Sequence, residues 1–305
     1  MKRALLIAGP TASGKSALAL ALARETGGVI VNADAMQVYA DLRVLTARPT
    51  PAEEASAPHR LYGVVDAAEA YSAGKWQRAA LSALNAIWAE DRLAIVVGGT
   101  GLHFAALTEG LAPAPDIPPD ITRAARAEAG ADPAAAHARL ALVDPFAAAR
   151  ISPTDAVRIA RALEVHDATG APLSALQAET RPPLEAGLWA GIALAPPREG
   201  LYAAIERRFE AMLSAGALEE ARALHQRDLD PALPCMKAHG MPWLARHFEG
   251  AITLAAAAQG AILDTRHYAK RQLTWMRNRM RDWTVVEATD LAARLGAARA
   301  ALQAP

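Results

Sequence analysis
Four short apolar runs punctuate the chain: "ALLIA" at residues 4–8, "VIVNA" at 29–33, "LAIVVGG" at 93–99 and "LWAGIAL" at 188–194. Each has the length of a strand buried on both faces, and each ends in small or polar residues or at the edge of a polar stretch. Ala- and Leu-rich segments of helical character separate the first three. That alternation predicts an α/β fold, a parallel sheet wrapped by helices. Ligands of such sheets gather beyond the carboxyl ends of the strands, which here sets Gly9 to Ser16, Asp34 and Gly98 to Gly101 along one edge.

Between the third and fourth runs the pattern becomes helical throughout. "LAPAPDIPPD" at 111–120 is a proline-rich exit and "TRPPLEAG" at 180–187 a proline-rich return, a composition common in linkers. The prediction is a core made of residues 1–115 and 186–305, interrupted by an all-helical insertion over 116–185. At about 70 residues the insertion is near the lower limit for an independent module. Within it, "SPTDAVRIARALEVH" predicts a helix with Ser152 as N-cap, Pro153 in the first turn and Asp155 three residues after the cap. Arg158 and Arg161 then share a face. After residue 196 the chain is again helical, with "WTVVEA" as the one strand-like stretch.

Composition narrows the class. The 305 residues are 52% hydrophobic and 21% charged, with Lys plus Arg and Asp plus Glu at 32 each. This is a globular composition without net charge, so any nucleic-acid surface must be local. The single cysteine, Cys235, excludes an intramolecular disulfide and a cysteine-rich zinc site. The opening "MKRALLIAGP" begins like a secretory signal, but its apolar run stops at Gly9 and is shorter than the roughly 7 to 15 residues a signal needs. No uninterrupted apolar stretch of about 20 residues occurs. The expectation is a soluble cytoplasmic protein, without a membrane or an obligate protein partner, and a monomer.

The sharpest chemical signal is "GPTASGKS", between the first strand-like run and a helix-like "ALALALA". It matches the phosphate-gripping pattern G-x-x-x-x-G-K-[ST], so Gly9, Pro10, Thr11, Ala12, Ser13, Gly14, Lys15 and Ser16 form a candidate phosphate site. The glycines let backbone amides turn inward, Lys15 adds a point charge, and the Ser16 hydroxyl suits Mg2+. Most such loops hold a nucleoside triphosphate, which makes a kinase or ATPase the first candidate. Asp34, at the same edge, suits a magnesium ligand, a general base or the cap of a following helix. "GGTGL" at 98–102 is a glycine turn of the kind found at ordinary strand ends as well as at ligand sites. In "DTRHYAKRQLTWMRNRMRDW" at 264–283, Leu273, Met276 and Met280 form an apolar helical stripe, with Arg266, Lys270, Arg277 and Arg281 on another face. Interleaved with Tyr268, Trp275 and Trp283, such residues suit contact with a nucleic-acid backbone; a merely solvated face is the rival reading. His239 and His267 lack metal-ligand spacing.

Taken in order, these motifs resemble the tRNA dimethylallyltransferase (tRNA isopentenyltransferase) family. The matching pieces are "GPTASGKSALALALA", "VNADAMQVYADL", "TARP", "APHRLYGVVD", "YSAGKW", "VVGGTGLHF", "DPFAAARISPTDAVRIARALEV" and "RHYAKRQLTWMR", which span almost the whole chain. The resemblance implies that the loop holds the diphosphate of dimethylallyl diphosphate, with Mg2+, and that N6 of adenosine 37 in a tRNA anticodon loop is the acceptor. It makes Asp34 the general base, sets Asp34, Ala35, Met36 and Gln37 at the target nucleotide, and brings Thr100 near the reactive adenine. Arg208 in "IERRFEAML" matches an arginine that helps hold the diphosphate. Arg123, with Arg158, Ile159, Ala160, Arg161 and Ala162, matches positions that meet tRNA from the insertion. Lys270, Arg271 and Arg277 join that RNA-contact set from the basic helix.

Three departures stand out: Ala35 follows the aspartate where Ser is usual, Arg48 replaces Lys in "TARP", and Gly240, Met241 and Pro242 replace a Gly-Tyr-Lys-like signature. The alternatives are an adenylate isopentenyltransferase, a small-molecule kinase built on the same loop, and an RNA-binding switch that senses a phosphate ligand.

Overall fold
The computed structural model describes residues 3–113 and 116–304. Met1, Lys2, Pro305 and the domain boundary read at 115 lie outside them. The chain divides into two compact units: residues 3–107 with 184–304 form one, and residues 108–183 with the exception of 114 and 115 form the other.

The first unit is built on a six-stranded sheet in the order β3-β2-β4-β1-β5-β6, in which every pairing is parallel. Here β1 is Ala4–Ala8, β2 Val29–Asn32, β3 His59–Arg60, β4 Ala94–Gly98, β5 Trp189–Leu194 and β6 Thr284–Val286. β1, β2 and β4 are buried along their whole length, as expected of central strands covered on both faces. The helix Lys15–Thr26 covers one of those faces with Leu18, Ala19, Leu20, Leu22 and Ala23. Register decides where the site falls: Ala8 pairs with Gly98, and Asn32 with Val97. The loop after β1, the glycine turn after β4 and Asp34 after β2 are therefore neighbours at one edge.

All four apolar runs are strands, and "WTVVEA" contains the fifth. β3 was not legible: it is two residues long, polar, and lies at the sheet edge. The basic stretch also differs from its reading. The helix runs Leu254–Arg279, capped by the Thr253 side chain, and ends at Met280. Arg281 thus lies beyond it and does not extend the helical face. Trp76 braces the end of β2; it is fully buried, stacks on His103 with ring centroids 4.0 Å apart, and donates its indole N–H to the Asn32 carbonyl at 2.9 Å.

The second unit is helical, with Pro119–Ala131, Pro133–Val143 and Ala156–Thr169 as its main helices. Its core is mostly small: Ala125, Ala129, Ala136, Leu140, Ile159, Ala162 and Leu163 pack together. The third helix starts later than the sequence reading. Asp155, not Ser152, is the N-cap, accepting the Arg158 N–H at 3.1 Å. Ser152 instead closes a turn, its carbonyl taking the Asp155 N–H at 2.9 Å. Both residues suit a cap, and Asp155 stands directly before Ala156, the first helical residue, with the buried stripe beginning at Ile159. Among the described residues no helix is long and apolar enough to cross a membrane.

Candidate active site
The loop after β1 is wound by backbone conformations that side chains rarely adopt: Ala12 has φ 61° and Gly14 φ 84°. The positive φ favours glycine at position 14, and a Cβ there would also come within 2.4 Å of the Arg294 guanidinium, whose end would have to shift. Lys15 follows, buried, with Nζ donating to the Pro10 carbonyl at 3.2 Å. Burial pushes its pKa down to about 8; the charge of Asp34 raises it and that of Arg208 lowers it. Burial likewise lowers the pKa of Arg208, against the pull of Asp34.

These groups open onto one cavity of about 330 Å³. Thr11, Ala12, Lys15 and Ser16 line it from the phosphate loop, and Asp34, Ala35, Met36 and Gln37 from the loop after β2. Arg208 lines it from the helix Arg198–Ser214, as do Ile205, Phe209 and Met212. Leu45 and Thr46 add to that wall, and Lys237, His239, Thr265, Tyr268 and Arg271 complete the lining on the side of the long helix. One wall is thus cationic and polar and another apolar, with a carboxylate in the same space.

No helix starts at Asp34; residues 35–50 are turns, bends and irregular backbone with a bridge from Tyr39 to Val65, and the next helix begins at Pro51. The helix-cap reading of Asp34 is therefore wrong. Its Oδ1 accepts the Met36 N–H at 2.9 Å, a short Asx turn, and its own N–H goes to the Asn32 side chain at 2.8 Å. The carboxylate keeps further lone pairs. Thr100 Oγ1 accepts the Ala35 N–H at 2.9 Å, so Thr100 orients the segment carrying Asp34. It borders a neighbouring cavity that shares Tyr268 and Arg271 with the first. The Gln37 amide donates to the Thr46 and Ala47 carbonyls, at 2.9 Å each, which fixes the apolar wall. Arg48 of "TARP" is anchored on the Tyr39 and Ala40 carbonyls at 3.2 Å each.

Buried polar groups nearby have settled protonation states. Burial brings the pKa of His103 down to about 4 and lowers that of His239, so both rings are neutral at pH 7. The Tyr268 hydroxyl is held protonated by burial and by the charge of Asp34, and it borders the neighbouring cavity together with Thr100 and Gln272. Cys235 is buried, its thiol pushed up to about 12, and is inert.

The RNA-contact candidates fall in different places. Arg271 borders the main cavity, whereas Lys270 and Arg277 line a separate groove with Arg198 and Arg281. Arg123 and Arg158 are exposed on the helical unit, and Arg161 pairs with Glu164 at 2.7 Å. Ile159, Ala160 and Ala162 are buried in that unit's own core; their side chains pack inward and are corrected from RNA contacts to packing. Among the described residues no group of three His, Cys, Asp or Glu could cage a metal. Ser16 and Asp34 fit Mg2+ only in the mode where one or two protein groups supplement substrate phosphates and water.

Sequence reasoning missed Leu45, Ile205, Phe209, Met212, Lys237 and Gln272, and it read Tyr268 for nucleic-acid contact and not as part of the cavity wall. Gly240, Met241 and Pro242, where the signature departs, open the helix Met241–Phe248, with Met241 buried. Lys237 and His239, just before it, are the cavity residues of that segment.

Comparison with known proteins places this geometry. A tRNA dimethylallyltransferase of Rhodopseudomonas palustris is 56% identical over 94% of this chain and 91% of its own length. One from Methylobacterium nodulans is 56% identical over 92% and 94%. Among solved structures, the tRNA isopentenylpyrophosphate transferase of Bacillus halodurans aligns over 98% of this chain and 99% of its own, with 29% identity and a TM-score of 0.68. A eukaryotic dimethylallyltransferase acting on tRNA covers 96% of this chain and 75% of its own, with 27% identity and a TM-score of 0.79. The family model described as IPP transferase matches residues 37–279. With sequence and fold agreeing over nearly its full length, this chain belongs to the IPP transferase family.

Proposed function
We propose that this chain transfers the dimethylallyl group of dimethylallyl diphosphate to N6 of adenosine 37 in the anticodon loop of tRNA, releasing diphosphate. The observation that carries this reading is the mixed cavity. Lys15, Arg208 and the phosphate loop share it with the apolar side chains of Leu45, Ile205, Phe209 and Met212 and with Asp34. A ligand with a doubly charged head and a short hydrocarbon tail uses all three parts; a phosphate donor that is only a nucleotide leaves the apolar wall without a role.

The chemistry follows from those residues. As the allylic C–O bond breaks, negative charge grows on the departing diphosphate, and the loop amides, Lys15 and Arg208 stabilise it in a site where burial strengthens each contact. The adenine N6 lone pair is delocalised into the ring, which makes it a weak nucleophile. Asp34 takes the N6 proton as the new C–N bond forms, a contribution of typically ~10²- to 10⁴-fold. Thr100 and the Asx turn hold Asp34 for that step. Mg2+, held by Ser16 together with the substrate phosphates, would supply additional charge neutralisation. The adenine has to leave its stack to reach the cavity, as bases do when chemistry is performed on them. Arg271 guides it at the mouth, while Lys270, Arg277, Arg123, Arg158 and Arg161 neutralise RNA phosphates.

The test is product analysis. Unmodified anticodon stem-loop RNA, dimethylallyl diphosphate and Mg2+ are incubated with the enzyme, and the digested nucleosides are analysed by mass spectrometry. The expected product is N6-dimethylallyl adenosine from one position. ATP turnover without prenyl transfer would return the chain to the kinase reading, and prenylation of free adenylate in preference to RNA to the adenylate reading.

A further inference from the structure
Gln272 sits on the long helix immediately after Arg271, yet its side chain turns inward and is buried. Its carboxamide oxygen accepts the Thr11 N–H at 3.0 Å, and its nitrogen donates to the Gly99 carbonyl at 2.8 Å. One side chain thus ties the phosphate loop to the glycine turn after β4. The contact is close enough that a Cβ at Gly99 would lie 2.2 Å from Nε2. One turn earlier on the same face, Tyr268 borders the same cavity as Gln272 and Thr100. Thr100 in turn holds the N–H of Ala35, beside Asp34. Three loops, those after β1, β2 and β4, are therefore chained together through Gln272, on the helix that carries Arg271, and the glycine turn it holds.

The residue type is determined by its two partners. The Thr11 amide demands an acceptor and the Gly99 carbonyl a donor, so the carboxamide has one orientation that satisfies both. A thioether of the same length satisfies neither, and a carboxylate sets oxygen against oxygen at Gly99. Thr11 and Ala12 line the cavity, so a shift of the Thr11 backbone moves the phosphate cradle itself.

We propose that Gln272 is a positioning residue for the phosphate loop, and that through it the helix bearing Arg271 and the diphosphate site are coupled, each binding event changing the affinity of the other. The coupling rests on the reading of Arg271 as RNA-facing; the action of Gln272 on the loop does not. Coupling of this kind is reciprocal.

Calorimetry with inorganic pyrophosphate and Mg2+, with and without anticodon stem-loop RNA, tests both parts. Gln272→Met is expected to weaken pyrophosphate binding about tenfold, as loss of two buried hydrogen bonds implies. In prenyl transfer it should raise the KM for the donor more than it lowers kcat. The stem-loop should alter pyrophosphate affinity in the natural protein and leave it unaltered in the variant. Gln272→Glu should be weak at pH 7 and recover relative to the natural protein as pH falls, because the protonated acid regains a donor for Gly99. Gly99→Ala, which pushes on Nε2 from the other side, gives the same loop defect should Gln272→Met not fold. Pyrophosphate affinity unchanged in both Gln272→Met and Gly99→Ala would overturn the positioning role, and an RNA effect that persists in them would overturn the coupling. Failure of the prenyl-transfer reading is distinguished by product analysis of the natural protein, which the pyrophosphate measurement does not require.

Discussion

The sheet unit and the helical unit bury different kinds of residue. In the sheet unit Ser13, Lys15, Asn32, Gln37, His103, Gln272 and Arg294 are polar and buried, and they gather around the phosphate loop, the end of β2 and the glycine turn. Most of their hydrogen bonds go to loop backbone: Lys15 to Pro10, Asn32 to Asp34 and Leu61, Gln37 to Thr46 and Ala47, and Gln272 to Thr11 and Gly99. In the helical unit the buried polar side chains among the described residues are Asp144 and Glu164. Asp144 caps a short helix and accepts from the Ser174 N–H and hydroxyl, at 2.9 and 2.6 Å. Glu164 pairs with Arg161. An unpaired buried polar group costs on the order of 1–3 kcal/mol, so the bonded ones, Lys15, Asn32, Gln37, Gln272 and Arg294, mark where backbone geometry has to be held, while Ser13 Oγ and His103 Nδ1 are buried without a partner. In one unit burial holds loops for chemistry; in the other it packs helices and leaves the arginines outside.

Substitutions on either side sharpen that contrast. Asp34→Asn carries the largest expected effect. Asn keeps the Asx turn but cannot take a proton, so transfer at saturating substrates should fall by about two to four orders of magnitude with donor and RNA affinities little changed. Rapid-quench kinetics measure this, and full activity would reduce Asp34 to a turn residue. In the helical unit Ile159→Ala should instead lower stability by about 2–5 kcal/mol, read by denaturant unfolding. Where the variant is folded, RNA affinity should be close to natural. A large loss of affinity without loss of stability would return Ile159 to the RNA surface.

Lys15→Ala should weaken donor binding by ~1.5 to 3 kcal/mol, the usual size of a charge-assisted contact, seen in calorimetry. The same residue gives a pH signature. With its pKa at about 8 in the free protein, donor affinity should be level below pH 8 and decline above it, as the ammonium must be regenerated on binding. Stability without donor runs the other way. Because the folded pKa lies below the ordinary lysine value of 10.5, the cost of the buried charge is full below pH 8 and is relieved as pH rises toward 10.5. The smallest effects belong to Arg123→Ala and Arg158→Ala. Each should flatten the log–log salt dependence of stem-loop binding by somewhat under one unit, with no change in stability; unchanged slopes would make both part of a solvated face.

How much of this was legible in the sequence depends on whether the signal was local. Strands buried on both faces are contiguous apolar runs, so β1, β2, β4 and β5 could be read directly, and the phosphate loop is contiguous as well. The apolar wall was not: Leu45, Ile205 and Phe209 come from distant segments and meet only through the fold. Gln272 was hidden in a stretch read for its charge. A signal existed, because Ala269, Gln272 and Met276 are buried at helical spacing, which sets an uncharged amide in the middle of a core-facing stripe. Ile159 was misplaced for the converse reason: it sits between arginines in sequence, but 3.6-residue periodicity turns it to the opposite side.

The central claim is that the phosphate loop grips a leaving group and not a nucleotide. Calorimetric titration with dimethylallyl diphosphate and, separately, ATP, each with Mg2+ and without RNA, tests it most directly. The account predicts that dimethylallyl diphosphate binds, that Lys15→Ala weakens it, and that ATP neither displaces it at comparable concentration nor is hydrolysed. Stoichiometric displacement by ATP, accompanied by its turnover, would contradict it.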